Sequence, residues 1–391
     1  MTTIYMDANA TTPLLPEVVA AMVPFWTEHF ANPSSVHQPG QRARAAVEEA
    51  RDQVAALLGC RSAEVLFTSG GTESDNLAIF GVMEAAASAA ASAQPGVPPH
   101  LIVSAIEHDA VLRAAEALGK RGGAEVTVLP CTATCLVEPA TLAAAITPRT
   151  RLVSVMMANN ETGVVQPIRE LAEIAHAAGA LFHTDAVQAA GKLPLAVDDL
   201  GCDLLTISGH KLYGPKGTGV LYVRRKTALS PLHFGGPQER QRRAGTENVA
   251  GVVGLGAAAA LARTWLQSDA LGELTRRRDR LEAAILRGTA DVVVHGAEMQ
   301  RTPNTLNLRF AGVVAEELMM ALDLQGLAVS AGSACQSGAL EPSHVLRAMG
   351  LPDAQARATI RLSLTRLSTD DEADRAAAMI CTTVARLRRS A

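Results

Sequence analysis

From residue 64 to about residue 223 the chain repeats one unit: a short apolar run, a polar or glycine-containing turn, then a helical pattern. That repetition constrains the fold more than any single residue. Candidate strands lie at 65–68, 101–105, 152–157, 181–184, 204–208 and 219–223. Several are apolar at consecutive positions, as in strands buried on both faces of a helix-covered sheet. The fold class is therefore α/β. After residue 256 the pattern changes to a long Ala/Leu/Arg helix followed by shorter strands at 305–310 and 360–363, which predicts a second, smaller α+β domain. Residues 1–14 form no unit of their own and are expected to pack on that second domain. The predicted division is thus 15–257 against 1–14 with 258–391. Residues 85–99 read as a helix end running into a surface loop.

The chain is long enough for two cores at 391 residues, and its 48% hydrophobic content excludes global disorder. A formal charge of -4 gives no electrostatic basis for binding nucleic acid. The basic stretches 276–280 and 386–389 read as solvated helix faces. The first residues, MTTIYMDANATT, lack the charged and apolar regions of a signal peptide, and no later segment approaches the length that crosses a bilayer. The expectation is a cytoplasmic protein without membrane association. Six cysteines at scattered spacings fit a reducing compartment and free thiols.

The unusual polar residues fall just past the carboxyl ends of the candidate strands, the edge where open α/β sheets bind ligands. In FTSGGTESDN, Gly70 and Gly71 turn the chain and Thr72 opens a helix whose free N–H groups suit a phosphate, although a plain helix cap at Thr72 explains the pattern too. In FHTDAVQAAGK, Asp185 ends a strand; it serves either as the cap of a helix starting near Ala186 or as the partner of a cation such as a pyridinium nitrogen. Lys211 in SGHKLYGPKG follows a buried strand, where its amine is expected to be depressed in pKa and suited to a Schiff base; a solvated lysine is the alternative. Ser208 and His210 beside it suit a phosphate corner. His108 in IEHDAV and Asn159, Asn160 and Glu161 in MANNETG lie on two more loops converging on that edge. Cys335 sits in SAGSACQSG, a Gly/Ser-rich run with no apolar pattern, which suits an accessible thiol better than a packed one. The other cysteines read as core or surface, and the CxxxC of Cys131 and Cys135 is weak grounds for a metal site.

In order, DANATT, NPSSVH, FTSGGTES, EHDAVL, ANNETG, FHTDAVQA, SGHKLYGPKG, RAGTENV, SAGSACQSG, EPSHVL and IRLSL resemble a cysteine desulfurase of the NifS/IscS type, within the class V aminotransferase branch of fold-type I pyridoxal phosphate enzymes. The resemblance implies a mainly parallel seven-stranded sheet between helices and pyridoxal phosphate as cofactor. Lys211 would carry the cofactor, Asp185 would keep its ring nitrogen protonated, and Gln188 would bond its phenolic oxygen. Gly71, Thr72, Ser208, Gly209 and His210 resemble further cofactor contacts, with Thr246 reaching in from the second subunit of a homodimer. Asn160, also near the cofactor, and Arg361 resemble the groups that bind the substrate carboxylate. His108 would stack on the ring and move protons. Cys335 would take sulfur from L-cysteine as a persulfide, serve as a transient iron–sulfur ligand, and pass the sulfur to a NifU/IscU-like scaffold or another acceptor. The SACQSGALEPSHVL stretch leans toward NifS-like, nitrogenase-associated members. The chain departs from the family in DANATT, at Asp75 where Asn is common, and over 131–138. A selenocysteine lyase or another class V enzyme is the alternative reading.

Overall fold

Successive side chains of a strand point to opposite faces, and here each face meets its own apolar cluster. Ile102, Val153, Leu205, Ile207 and Val220 join one cluster, while Leu101, Val103, Leu152, Leu204 and Leu221 join the other. The computed structural model describes residues 3–90, 97–331 and 341–390. Its central sheet has seven strands in the order Val65–Thr68, Gly219–Val223, Leu204–Ser208, Leu181–Asp185, Thr150–Ser154, His100–Ser104, Glu125–Leu129. Only Gly219–Val223 runs antiparallel to its neighbours. The mainly parallel, helix-covered α/β sheet expected from the sequence is therefore present.

The strand Glu125–Leu129 escaped the sequence reading because it is an edge strand. Glu125 and Val128 are exposed, so the segment lacks the continuous apolar run that marks its buried neighbours. The strand expected at 152–157 ends at Ser154 as a regular strand, but Val155 to Met157 stay buried and two of them still donate backbone N–H groups to the neighbouring strand, Val155 to His183 at 3.1 Å and Met157 to Asp185 at 2.8 Å.

One face is covered by helices Gly71–Ala90 and Asp109–Lys120, the other by Gln38–Leu58, Ile168–Ala177 and Val249–Leu266. Val249–Leu266 corrects an expectation, since by length and composition it could cross a membrane. Its small residues instead let it lie flat on Gln38–Leu58: a Cβ added at Gly256 would come 2.6 Å from the Ala50 Cα. The basic stretch 276–280 is also not wholly a solvated face, because Arg278 is buried and donates to the Thr302 carbonyl at 2.9 Å.

A second, antiparallel sheet of Val292–Val294, Thr305–Phe310 and Thr359–Ser363 has its own apolar cluster, shared with helices Ala270–Gly288, Ala315–Asp323 and Asp370–Ser390. Ile4–Tyr5 pairs with Leu327–Ala328, and Met6 enters this cluster. Residues 7–13 then cross to the large sheet, where the Thr12 backbone N–H donates to the His210 carbonyl at 2.9 Å.

Three consecutive non-glycine residues, Glu239, Arg240 and Gln241, adopt φ of 44, 58 and 63°, a costly run for L-residues. A buried ion pair pins this turn. Arg51 donates from two nitrogens to the Glu239 carboxylate at 2.8 Å each and lies 4.6 Å over the Phe67 ring, while the Phe67 N–H donates to the same carboxylate. Removing one partner strands a buried charge, so Arg51→Met should cost about 3–5 kcal/mol in urea unfolding. Replacing Glu239 by Leu in that background should recover much of the loss.

Candidate active site

The strand Leu204–Ser208 is buried throughout and ends in a single tight turn, Gly209–Lys211, which sets the Lys211 side chain over the carboxyl edge of the sheet. Glycine is required there: a Cβ on Gly209 would come 2.8 Å from the Pro215 carbonyl oxygen and closer still to Thr218. Gly209 thus shapes the turn and does not line the cavity, whereas Ser208, His210 and Lys211 do. The Lys211 amine donates to the carbonyls of Asn9 and Ala10, the latter at 2.6 Å. Burial, then the Arg361 charge, push this amine down to about 8, against the pull of Asp7 and Asp185. About a tenth is therefore the neutral, nucleophilic form at pH 7, far more than for an ordinary lysine. His210 is held neutral, its pKa pushed down to about 4 by burial and by Lys211 and Lys216.

The cavity, about 420 Å³, opens beside this lysine. Asp185 lines it from the end of Leu181–Asp185. One carboxylate oxygen accepts from the Val187 N–H at 2.8 Å, so the residue caps a turn; no helix starts at Ala186. Burial raises the Asp185 pKa, which Val187, His108 and Lys211 oppose, and a cationic donor in the cavity would oppose it further. Asp75 lies close behind, fully buried, its pKa raised well above the usual range first by burial and then by the Asp185 charge. The approach of His183 to Asp75, 3.6 Å, is no ion pair, because burial pushes the His183 pKa down to about 3. The family departure at Asp75 therefore falls on a wall of the cavity.

Helix Gly71–Ala90 begins at the cavity with Gly71 and Thr72, so Thr72 sits within the first turn and does not cap it. Its free backbone N–H groups and positive dipole end offer an anion site, with Ser208 and His210 nearby. His108 both caps Asp109–Lys120, its Nδ1 accepting from Ala110 at 3.1 Å, and lines the cavity. Of the two asparagines, Asn160 lines the cavity, while Asn159 ties the loop by accepting from the Glu161 and Thr162 N–H groups. Arg361 is buried and lines the cavity, its fork engaged by Asp7 at 2.8 Å and the Asn160 carbonyl at 3.0 Å. Gln188 lines it too. Thr246 is exposed and does not line the cavity of its own chain. Cys335 lies outside the described residues. Among the described residues no group of three or more His, Cys, Asp or Glu is arranged to hold a metal, the region of Cys131 and Cys135 included.

Several residues of the site went unassigned in the sequence. Asn9 is one; its carbonyl receives Lys211, and only its place in DANATT pointed to it. Glu107 and Glu161 are fully buried carboxyl groups on the two converging loops. Glu161 accepts from the Ser343 hydroxyl at 2.5 Å, and His344 meets the Glu107 carbonyl at 2.9 Å, which brings the EPSHVL segment onto the cavity.

A primary amine of depressed pKa, a buried carboxylate oxygen with spare accepting capacity, and a helix N-terminus flanked by hydroxyl and imidazole donors match the aldehyde, ring nitrogen and phosphate of pyridoxal phosphate. Comparison with known proteins agrees. The family described as aminotransferase class-V matches residues 4–376. A cysteine desulfurase IscS of Dictyoglomus turgidum is 46% identical over 94% of this chain and 91% of its own. A cysteine desulfurase of Trichormus azollae is 47% identical over 99% and 94%. A solved structure described as a NifS-like protein superposes with a TM-score of 0.89 at 32% identity, covering 98% of this chain and all of the other.

Two measurements test the electrostatics. The rate at which added pyridoxal phosphate develops its visible absorption on cofactor-free protein should climb with pH through about 8 and then level off, with no such band in Lys211→Ala. Burial pushes the Glu107 pKa up to about 8, so the folded chain holds a proton that the unfolded chain releases near 4.5. Its contribution to stability is full below about 4.5 and lost as pH rises through about 8. Glu107→Gln keeps the oxygen that accepts from Ser104 and Met156. Its urea midpoint should fall less steeply over this range than that of the wild type, gaining on it toward pH 8.

Proposed function

The chain belongs to the class V aminotransferase family, whose members use pyridoxal phosphate, and we propose that it is a cysteine desulfurase that converts L-cysteine to L-alanine and leaves the sulfur on Cys335. The observation that carries this reading is the pairing of Lys211 with Asp185 in one cavity, whose lining residues Arg361 and Glu161 are bonded to the chain on either side of the segment that holds Cys335. Before that segment, Ser330 is bonded through its backbone to Arg361 at 2.6 and 3.2 Å; after it, Ser343 is bonded to Glu161. Cys335 is four residues from Ala331 along the chain, and the reading requires its thiol to reach this cavity.

Bound pyridoxal phosphate supplies an electron sink for the substrate α-carbon. The chain's own groups do the rest. Asp185 would hold the ring nitrogen protonated, and the free N–H groups at Gly71 and Thr72, with Ser208 and His210, would hold the phosphate. Arg361 and Asn160 orient the substrate carboxylate, with Arg361 exchanging Asp7 for it. Lys211, its amine free when substrate is bound, would take the substrate α-proton and hold it for return, and His108 would carry protons beside it. The Cys335 thiolate attacks the substrate sulfur. The S–S bond forms as the C–S bond breaks, and the electron pair and a proton go to the carbon that becomes the alanine methyl group. Cysteine plus thiol thereby becomes alanine plus persulfide, with no outside oxidant or reductant.

The persulfide would supply iron–sulfur cluster assembly through a scaffold of the NifU/IscU kind, with Cys335 as a transient cluster ligand. The SACQSGALEPSHVL stretch favours a nitrogenase-associated role, in the cytoplasm. A homodimer is part of this reading: Thr246 faces outward on its own chain, free to complete the phosphate site of a second.

Cys335→Ala should keep the cofactor's absorption and lose alanine formation from cysteine by at least about a hundredfold, the scale of losing a covalent nucleophile. Mass spectrometry of the wild type after one turnover should find the extra sulfur on Cys335. Alanine release undiminished in the variant would instead mark a lyase that needs no loop thiol.

A further inference from the structure

Lys192 is a buried lysine with no carboxylate partner among the described residues, an expensive arrangement to keep. Its amine donates to the Gln188 side-chain oxygen at 2.9 Å and to the Asn9 side-chain oxygen at 3.3 Å. The other end of the Gln188 amide donates to the Asn9 backbone carbonyl at 2.9 Å, the same oxygen that receives the Lys211 amine. A carbonyl only accepts, so the N–H end of the amide faces the Asn9 oxygen, and the donating Lys192 amine holds the oxygen at the other end in the same orientation. Its oxygen points at Lys192 and its N–H side at the place where Lys211 and the cavity meet. Without Lys192 that oxygen would have no donor, and the amide would lose one of the two contacts that hold it in place.

We propose that Lys192 is a positioning residue that locks the Gln188 carboxamide with its N–H side toward Lys211, making Gln188 an obligatory hydrogen-bond donor to the ring oxygen of the bound cofactor. The proposal rests on the pyridoxal phosphate reading of the cavity. The charges around this group are Lys211 and Arg361, which bear on Lys192, and Asp7 and Asp185, which bear on Lys211. Among the described residues no acid faces Lys192, and its amine is held by the two amide oxygens instead.

The test is the pH midpoint of the visible absorption of the cofactor-loaded protein, measured without substrate. Donation from Gln188 lowers the basicity of the ring oxygen and of the neighbouring lysine linkage. Lys192→Met should therefore move the midpoint up by about one pH unit, the size of a lost hydrogen bond to a charged group. Lys192→Gln, which restores a neutral donor, should return it close to the wild-type value. In a Gln188→Ala background Lys192→Met should add nothing further. An unmoved midpoint in Lys192→Met, an equal shift in Lys192→Gln, or additive shifts in the double variant would each overturn the proposal. Should Lys192→Met not fold, Gln188→Glu decides: it keeps Lys192 but has no N–H to donate, so an unchanged midpoint there rejects the donor role. A wild type that develops no visible band with pyridoxal phosphate would reject the cofactor reading itself, a different outcome from a band that Lys192 does not influence.

Discussion

The site is organised around one backbone carbonyl. That of Asn9 receives the Lys211 amine from the large sheet and the Gln188 amide from the loop after Asp185. The Asn9 side chain reaches the Asn160 carbonyl and the Thr305 hydroxyl, the latter on the second sheet. A peptide oxygen can accept twice and cannot change its protonation, so it holds an amine in place without fixing its charge. A carboxylate in the same position would hold the lysine as an ammonium and spoil it as a nucleophile. Residues 7–13 thus act as the strap on which the two sheets and the Lys211 amine are registered.

The cavity concentrates buried ionisable groups to a degree that stability alone would select against. Asp75, Glu107, Glu161 and Asp185 are all pushed toward the neutral acid by burial, while Lys192 and Lys211 are pushed toward the neutral amine. Such clusters are a mark of functional sites, where groups of opposite type are kept close to changing their protonation. The large sheet can bear that cost because both of its faces are filled with aliphatic side chains.

The central strands and the lysine turn were legible because buried parallel strands write themselves as continuous apolar runs and the polar residues then stand out at their ends. Leu204–Ser208 and Gly219–Val223 have the bounds expected of them. Glu125–Leu129 was missed because Glu125 and Thr127 interrupt the continuous apolar run by which its buried neighbours were recognised. Gly209 shows a subtler limit. A glycine beside a site suggests ligand contact, yet here it is demanded by the Pro215 carbonyl on the side away from the cavity.

The sequence by itself determined the α/β class, the carboxyl edge as the place of chemistry, and the identities of Lys211, Asp185 and His108 as its candidates, because each depends on local pattern and on chemistry written in one residue type. Only the tertiary structure decided which groups share a hydrogen bond across long separations: Asn9 with Lys211, Arg361 with Asp7, and Ser343 with Glu161. It alone showed that Lys192 faces two amide oxygens and no acid. Such pairings are set by how two sheets dock through a strap of chain, and no periodicity along the sequence encodes the distance between residues brought together by that docking.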